Sequence, residues 1–145
     1  MIDFNLRILV VDDMPAMRSI VRNMLLEIGF TRIVEAEDAD QAWERIRFAI
    51  APGGDPEGAF GLVVSDWNMP GMSGAELLRA VRGLSQTRDL AFLMVTAERS
   101  PDHLSEATHA GVTDYVIKPF NLGHLREKID GIFATLADGA EAPSG

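Results

Sequence analysis

"RILVVDDMPAMRSIVRNMLLEIG", residues 7–29, reads as two elements in series. Arg7 to Val11 make a short, almost continuous apolar run rich in β-branched residues, the pattern of a strand covered on both faces. The "DDMP" that follows places acidic residues ahead of Pro15, a residue favoured in the first turn of a helix. Met17, Ile20, Val21, Met24, Leu25 and Ile28 then recur at spacings of three and four, which predicts an amphipathic helix ending at Gly29. A buried strand feeding such a helix is the unit from which parallel sheets are built.

The same unit recurs along the chain. "RIVEA" (32–36) predicts a second strand, followed by a helix from Asp38 to Ile50 with Ala39, Ala42, Trp43 and Ile46 on one side. "GLVVS" (61–65) predicts the third strand, and a Ser73-capped helix turns Leu77, Leu78 and Val81 inward until Gly83. "LAFLMV" (90–95) is the fourth, and Ser100-Pro101 opens a weakly amphipathic helix that Gly111 stops. "DYVI" (114–117) is the fifth, before a helix from Asn121 that buries Leu122, Leu125, Ile129, Ile132, Phe133 and Leu136. Five strand-then-helix units with right-handed crossovers imply an α/β domain, a doubly wound parallel sheet with helices on both faces.

The chain has 145 residues, the size of one domain able to cover roughly two-thirds of its unfolded surface. A single domain over residues 1–137 is expected, with a disordered tail over 138–145. The Gly- and Pro-rich stretch "APGGDPEGAF" (51–60) reads as a long exposed loop within that domain. No apolar run approaches a membrane span, and no cysteine is present for disulfides or thiolate metal sites. The N-terminus lacks the pattern of a secretory leader, so a cytoplasmic protein is expected. The net charge of −9, with no basic cluster, disfavours direct nucleic-acid binding.

Ligands of doubly wound sheets gather at the carboxyl ends of the strands, where the winding reverses. Asp12 and Asp13 follow the first strand, Asp66 ends the third, Thr96 the fourth and Lys118 the fifth, so all five belong to one edge. Crowded carboxylates repel one another, and a hard divalent cation with oxygen ligands relieves that repulsion; Mg²⁺ fits best. Such an ion and Lys118 would form an electropositive socket.

"VVDDMPAMRSIVRNMLLEIGF", "SDWNMPGMSG", "LMVTAE" and "DYVIKPF" together resemble the motifs of the receiver domains of two-component response regulators, in particular the stand-alone chemotaxis type. The likeness runs from about residue 6 to residue 136. The resemblance implies a flavodoxin-like (βα)5 fold with strand order 2-1-3-4-5. It also implies that Asp66 accepts a phosphoryl group from a sensor histidine kinase of the chemotaxis system, forming an acyl phosphate. Asp12, Asp13, Asp66 and the backbone carbonyl of Asn68 would hold Mg²⁺. Lys118 would pair with a phosphoryl oxygen, and Thr96 would donate to another and shift toward it while Tyr115 turns inward. Asn68 and Glu98 would flank the water that removes the phosphate, and Lys118-Pro119 would be a cis peptide.

Two other classes fit less well. Phosphatases of the haloacid dehalogenase type need a second acid two residues after the nucleophile, where this chain has Asn68. Flavodoxin-like flavin binders seat a phosphate after the first strand, where Asp12 and Asp13 would repel it. The resemblance therefore implies a monomeric phosphoprotein and not an enzyme acting on outside substrates. Its partners would be the kinase, a flagellar motor switch protein and a phosphatase, with no membrane insertion. One departure favours the alternative of a phosphate sink or relay: "ERSPDHLSEATHAG" (98–111) carries Arg99 as its one lysine or arginine. His103, His109 and His124 are expected on the surface, Trp43 in the core and Trp67 partly exposed. Most of the methionines are expected as core filler.

Overall fold

In the computed structural model, which describes residues 2–141 with side chains through residue 134, ten elements alternate along the chain. They are β1 (Arg7–Val11), α1 (Pro15–Ile28), β2 (Arg32–Ala36), α2 (Ala39–Ile50), β3 (Leu62–Asp66), α3 (Gly74–Arg82), β4 (Ala91–Thr96), α4 (Pro101–Ala110), β5 (Asp114–Ile117) and α5 (Leu122–Glu141). The five strands form one parallel sheet in the order β2-β1-β3-β4-β5. The chain winds outward from β1 to β2, then crosses back to β3 and proceeds the other way, which opens a crevice at the carboxyl ends of β1 and β3.

Every residue of β1, β3 and β4 is buried, whereas most of edge strand β2 is only partly covered. Alternation across the pleat divides the core in two. Leu9, Val11, Val63, Phe92 and Met94 pack with the inward faces of α2 and α3, and with Ala107 of α4. Ile8, Val10, Leu62, Val64, Leu93 and Val95 pack with Val21 and Leu25 of α1 and with Leu125 and Ile129 of α5. Full burial of such side chains contributes about 1.5–3 kcal/mol each, which is why the apolar runs carry the fold.

Local signals set the helix limits. Asp38 Oδ1 accepts the Gln41 N–H at 2.7 Å ahead of α2, Ser73 and Glu76 form a reciprocal capping box on α3, and Ser100 Oγ accepts the His103 N–H on α4. Ahead of α1, Asp12 Oδ1 accepts the N–H of Met14, the residue before Pro15. Gly111 closes α4 at φ 102, a left-handed geometry that favours glycine.

Several sequence expectations are corrected. Ile20 is 48% exposed, because the buried stripe of α1 runs through Val21, Leu25 and Ile28 and leaves Ile20 on its flank. Trp43 is only partly buried, packed against the core beside Arg47. Among the methionines, Met69 and Met94 are core, but Met14 is exposed. Helix α5 runs to Glu141, into the stretch expected as a tail. Residues 142–145 lie outside the described residues, as does the side chain of Leu136.

The 51–60 loop is largely exposed, as expected, but its far end is anchored at the amino ends of the strands. Phe60 is buried, and the Arg7 guanidinium lies 4.4 Å from its ring centroid. Arg7 also pairs with Asp55 at 2.8 Å and donates to the Gly58 carbonyl at 2.6 Å. The Glu57 N–H above all holds the Asp55 carboxyl below the usual carboxylate range; burial opposes it, and the hydrogen bond and charge of Arg7 add to the lowering. No helix among the described residues is long and apolar enough to cross a membrane.

Candidate functional site

The sheet ladder delivers the site residues to the crevice. Just past β1, the Asp12 N–H donates to the Ala36 carbonyl at 3.2 Å, prolonging the pairing with β2. Asp66 is the last residue of β3 and Thr96 the last of β4, and the Lys118 N–H donates to the Thr96 carbonyl at 2.8 Å beyond β5. The N-terminus of α3 lies directly against this edge because Gly74 has no side chain. A Cβ there would stand 2.5 Å from the Asp66 carbonyl oxygen and 2.9 Å from Trp67 Cα.

Asp12, Asp13 and Asp66 converge, each offering a carboxylate oxygen within 4.8 Å of the other two. Asp12 and Asp66 are buried and Asp13 is exposed. Burial raises the carboxyl of Asp12 above its usual range, and the charge on Asp66 adds to the rise, while the Met14 N–H opposes it. Burial likewise raises that of Asp66, against the opposing pull of Lys118, whose Nζ lies 3.4 Å from Asp66 Oδ1. Both groups thus have ionised forms that the fold leaves under-compensated. Three oxygen donors, two of them short of counter-charge, are the donor set of a hard divalent cation. The residues fit Mg²⁺.

The remaining expected site residues divide in two. Lys118 and Thr96 are at the crevice, and Lys118-Pro119 is a cis peptide. Asn68 and Glu98 are exposed beside it, on the segments that follow β3 and β4. Tyr115 is half-buried on the neighbouring face, with Lys128 Nζ 5.0 Å from its ring centroid. It lines a cavity of about 300 Å³ together with Arg99, Pro119, His124, Glu127 and Lys128.

Two residues at the crevice are not foreseen from the sequence. Arg18 Nη1 donates to the Asp12 carbonyl at 2.8 Å while its Nε pairs with Glu35, which fixes the backbone under the acidic pair. Its position on α1, one turn beyond Pro15, is the available clue. His103, expected on the surface, instead has a side chain only 11% exposed. Its Nε2 lies 3.1 Å from Thr96 Oγ1 and its Nδ1 3.4 Å from Glu98. The ring also meets Trp67 in a T-shaped contact with centroids 6.2 Å apart. Trp67 itself is 7% exposed, not partly exposed as expected, because α4 and α3 close over it. Ser100 caps the first turn of α4 through the His103 N–H, but nothing local in the sequence signals that the ring turns onto Thr96.

Comparison with known proteins agrees with the geometry. Residues 8–130 match the family model described as response regulator receiver domain. The chemotaxis protein CheY of Pseudomonas aeruginosa is 45% identical over 88% of this chain and 96% of its own length. The chemotaxis protein CheY-3 of Vibrio cholerae is 42% identical over 91% of this chain and 95% of its own. Among solved structures, the chemotaxis protein CheY4 of Vibrio cholerae superposes with a TM-score of 0.76 at 31% identity, covering 88% of this chain and 98% of that one.

Proposed function

The chain belongs to the response regulator receiver family, and from that premise we propose that it is a phosphorylation-controlled switch in which Asp66 accepts a phosphoryl group from a phosphohistidine. The observation that carries this reading is the convergence of the Asp12, Asp13 and Asp66 carboxylates beside Lys118 Nζ at the crevice between β1 and β3. Asp66 is the member of the cluster already paired with the lysine.

In the transfer, an Asp66 carboxylate oxygen attacks phosphorus. A new P–O bond forms as the P–N bond to the donor imidazole breaks, its electron pair leaving with the ring nitrogen, which takes a proton from solvent. The chemistry demands positioning and charge neutralisation more than acid–base work. Lys118 supplies one fixed positive charge for the phosphoryl oxygens, and the Thr96 hydroxyl supplies a donor. Mg²⁺, held by Asp12, Asp13 and Asp66 with the Asn68 carbonyl, would offset the negative charge crowded between carboxylates and phosphoryl group. Asn68 and Glu98, exposed at the rim, would tune attack by water and so the lifetime of the acyl phosphate.

The output reading follows from what adjoins Thr96. Thr96 and Lys118 connect the crevice to the face of α4, β5 and α5, where Tyr115 and its cavity lie. Only contacts that differ between the two states shift their populations. A coupling of about 1–3 kcal/mol, the usual size, would raise partner affinity some 5- to 150-fold on phosphorylation. Relatives named as chemotaxis proteins favour a flagellar motor switch protein as the partner and a chemotaxis histidine kinase upstream; a phosphatase downstream, a cytoplasmic location and a monomeric chain complete the proposal. The sparse basic charge of α4, with Arg99 just ahead of it, favours the second reading of a phosphate sink or relay.

Incubation with acetyl phosphate tests the core of the proposal. Phosphate is expected on Asp66 alone, only with Mg²⁺ present, and not on Asp66→Asn. Phosphate mapped to another residue, or incorporated by the Asn variant, contradicts it. A motor-switch peptide binding equally with and without beryllofluoride selects the sink over the motor.

A further inference from the structure

Thr96 is fully buried, and its hydroxyl makes two contacts. Thr96 Oγ1 accepts the Glu98 N–H at 3.1 Å and lies 3.1 Å from His103 Nε2. A carboxylate only accepts, so the Glu98 carboxylate 3.4 Å from Nδ1 favours the neutral His103 tautomer that carries its proton on Nδ1 and presents Nε2 as an acceptor. Thr96 is then the donor in the bond to His103. A threonine hydroxyl has one proton, and here it is committed to α4.

We propose that His103 is a positioning residue that holds the Thr96 hydroxyl in the unphosphorylated arrangement, so that recruiting this hydroxyl to a phosphoryl group on Asp66 requires breaking the Thr96–His103 bond. The inference rests on the reading of Asp66 as phosphoacceptor. Its consequence is a direct mechanical link between the crevice and the first turn of α4. Loss of the bond frees His103, which is wedged between Glu98 and the edge of Trp67, and with it the turn that Ser100 caps. His103 therefore opposes activation in the resting protein, and the energy of one buried hydrogen bond sets how strongly.

Beryllofluoride binding in the presence of Mg²⁺, followed by calorimetry on the intact chain, tests this. His103→Leu, which keeps bulk but accepts no hydrogen bond, is expected to bind beryllofluoride about 2- to 10-fold more tightly than the wild type, the worth of one hydrogen bond. His103→Gln, whose amide oxygen can accept from Thr96, is expected to return toward wild-type affinity. In a Thr96→Val background, which has no hydroxyl to hold, His103→Leu should have no effect, a non-additivity that a purely structural histidine would not produce. Thermal unfolding establishes that each variant is folded, and His103→Ala replaces the leucine variant if that one is not. Unchanged or weaker binding by the folded His103 variant overturns the inference, as does an equal gain in the Thr96→Val background. If the wild type binds no beryllofluoride, or Asp66→Asn binds it equally well, the phosphoacceptor reading itself fails and the inference falls with it.

Discussion

The two ends of the sheet treat buried charge in opposite ways. At the amino ends of the strands, Arg7 is 9% exposed and fully engaged, paired with Asp55, donating to the Gly58 carbonyl and stacked on Phe60. At the carboxyl ends, Asp12 and Asp66 are as well buried, yet both carboxyls are raised above their usual range, and among the described residues Lys118 is the one cation paired with a carboxylate of the three-acid cluster. One end spends its charge on closing a loop. The other leaves charge uncompensated where the winding reverses, which is a cost to the fold and an invitation to a cation and a phosphoryl group.

The largest expected effect breaks the satisfied end. Arg7→Leu should lower stability by about 2 kcal/mol, because the Gly58 carbonyl loses its donor and Phe60 its stacked guanidinium. Urea unfolding measures it. Mg²⁺ affinity should be unchanged, and a variant that also lost metal binding would show that the two ends are not independent.

The strained end should respond with the opposite sign. Asp12→Asn keeps an oxygen for the Met14 N–H but removes a buried like charge, so without metal at neutral pH the variant should be about 1 kcal/mol more stable than the wild type. Because the folded carboxyls of Asp12 and Asp66 hold their protons to higher pH than in the unfolded chain, the folded state binds more protons across that interval. Stability of the metal-free wild type therefore falls, relative to the variant, as pH rises from the ordinary carboxylate range through the raised values. The advantage of Asp12→Asn should vanish in acid. A variant less stable than the wild type at neutral pH would contradict the charge imbalance.

The smallest effect belongs to Asp55, whose lowered carboxyl runs the other way. It contributes stability above the ordinary carboxylate range that is lost as pH falls. Asp55→Asn should flatten this part of the acid limb of a thermal-unfolding profile. A steeper limb in the variant would show that the loop clasp is not what Asp55 stabilises.

The contrast also marks what the sequence makes legible. Strands buried on both faces announce themselves as apolar runs, so the residues that end them, Asp66 and Thr96, and those just beyond, Asp12 and Lys118, could be assigned to one edge before any contact was known. The resemblance supplied the strand order. Contacts between elements far apart in sequence were not legible. Arg7 reads as the first residue of a strand, and nothing local says that a loop some fifty residues on will close over it. His103 lies on a weakly amphipathic helix, where spacing alone does not separate a solvated histidine from one turned onto Thr96. Trp67 follows an acidic strand end and reads as rim, until the closing of α3 and α4 buries it.

The most direct measurement is thermal unfolding at neutral pH with and without Mg²⁺, for the wild type and for Asp12→Asn combined with Asp66→Asn. If the carboxyl edge is held under strain for a cation, Mg²⁺ raises the wild-type midpoint, by about 2.7 kcal/mol of stability at a hundredfold excess over its dissociation constant. The double variant then starts from a higher metal-free midpoint and gains nothing from the ion. A wild type indifferent to Mg²⁺, or a double variant less stable than the wild type in its absence, would contradict it.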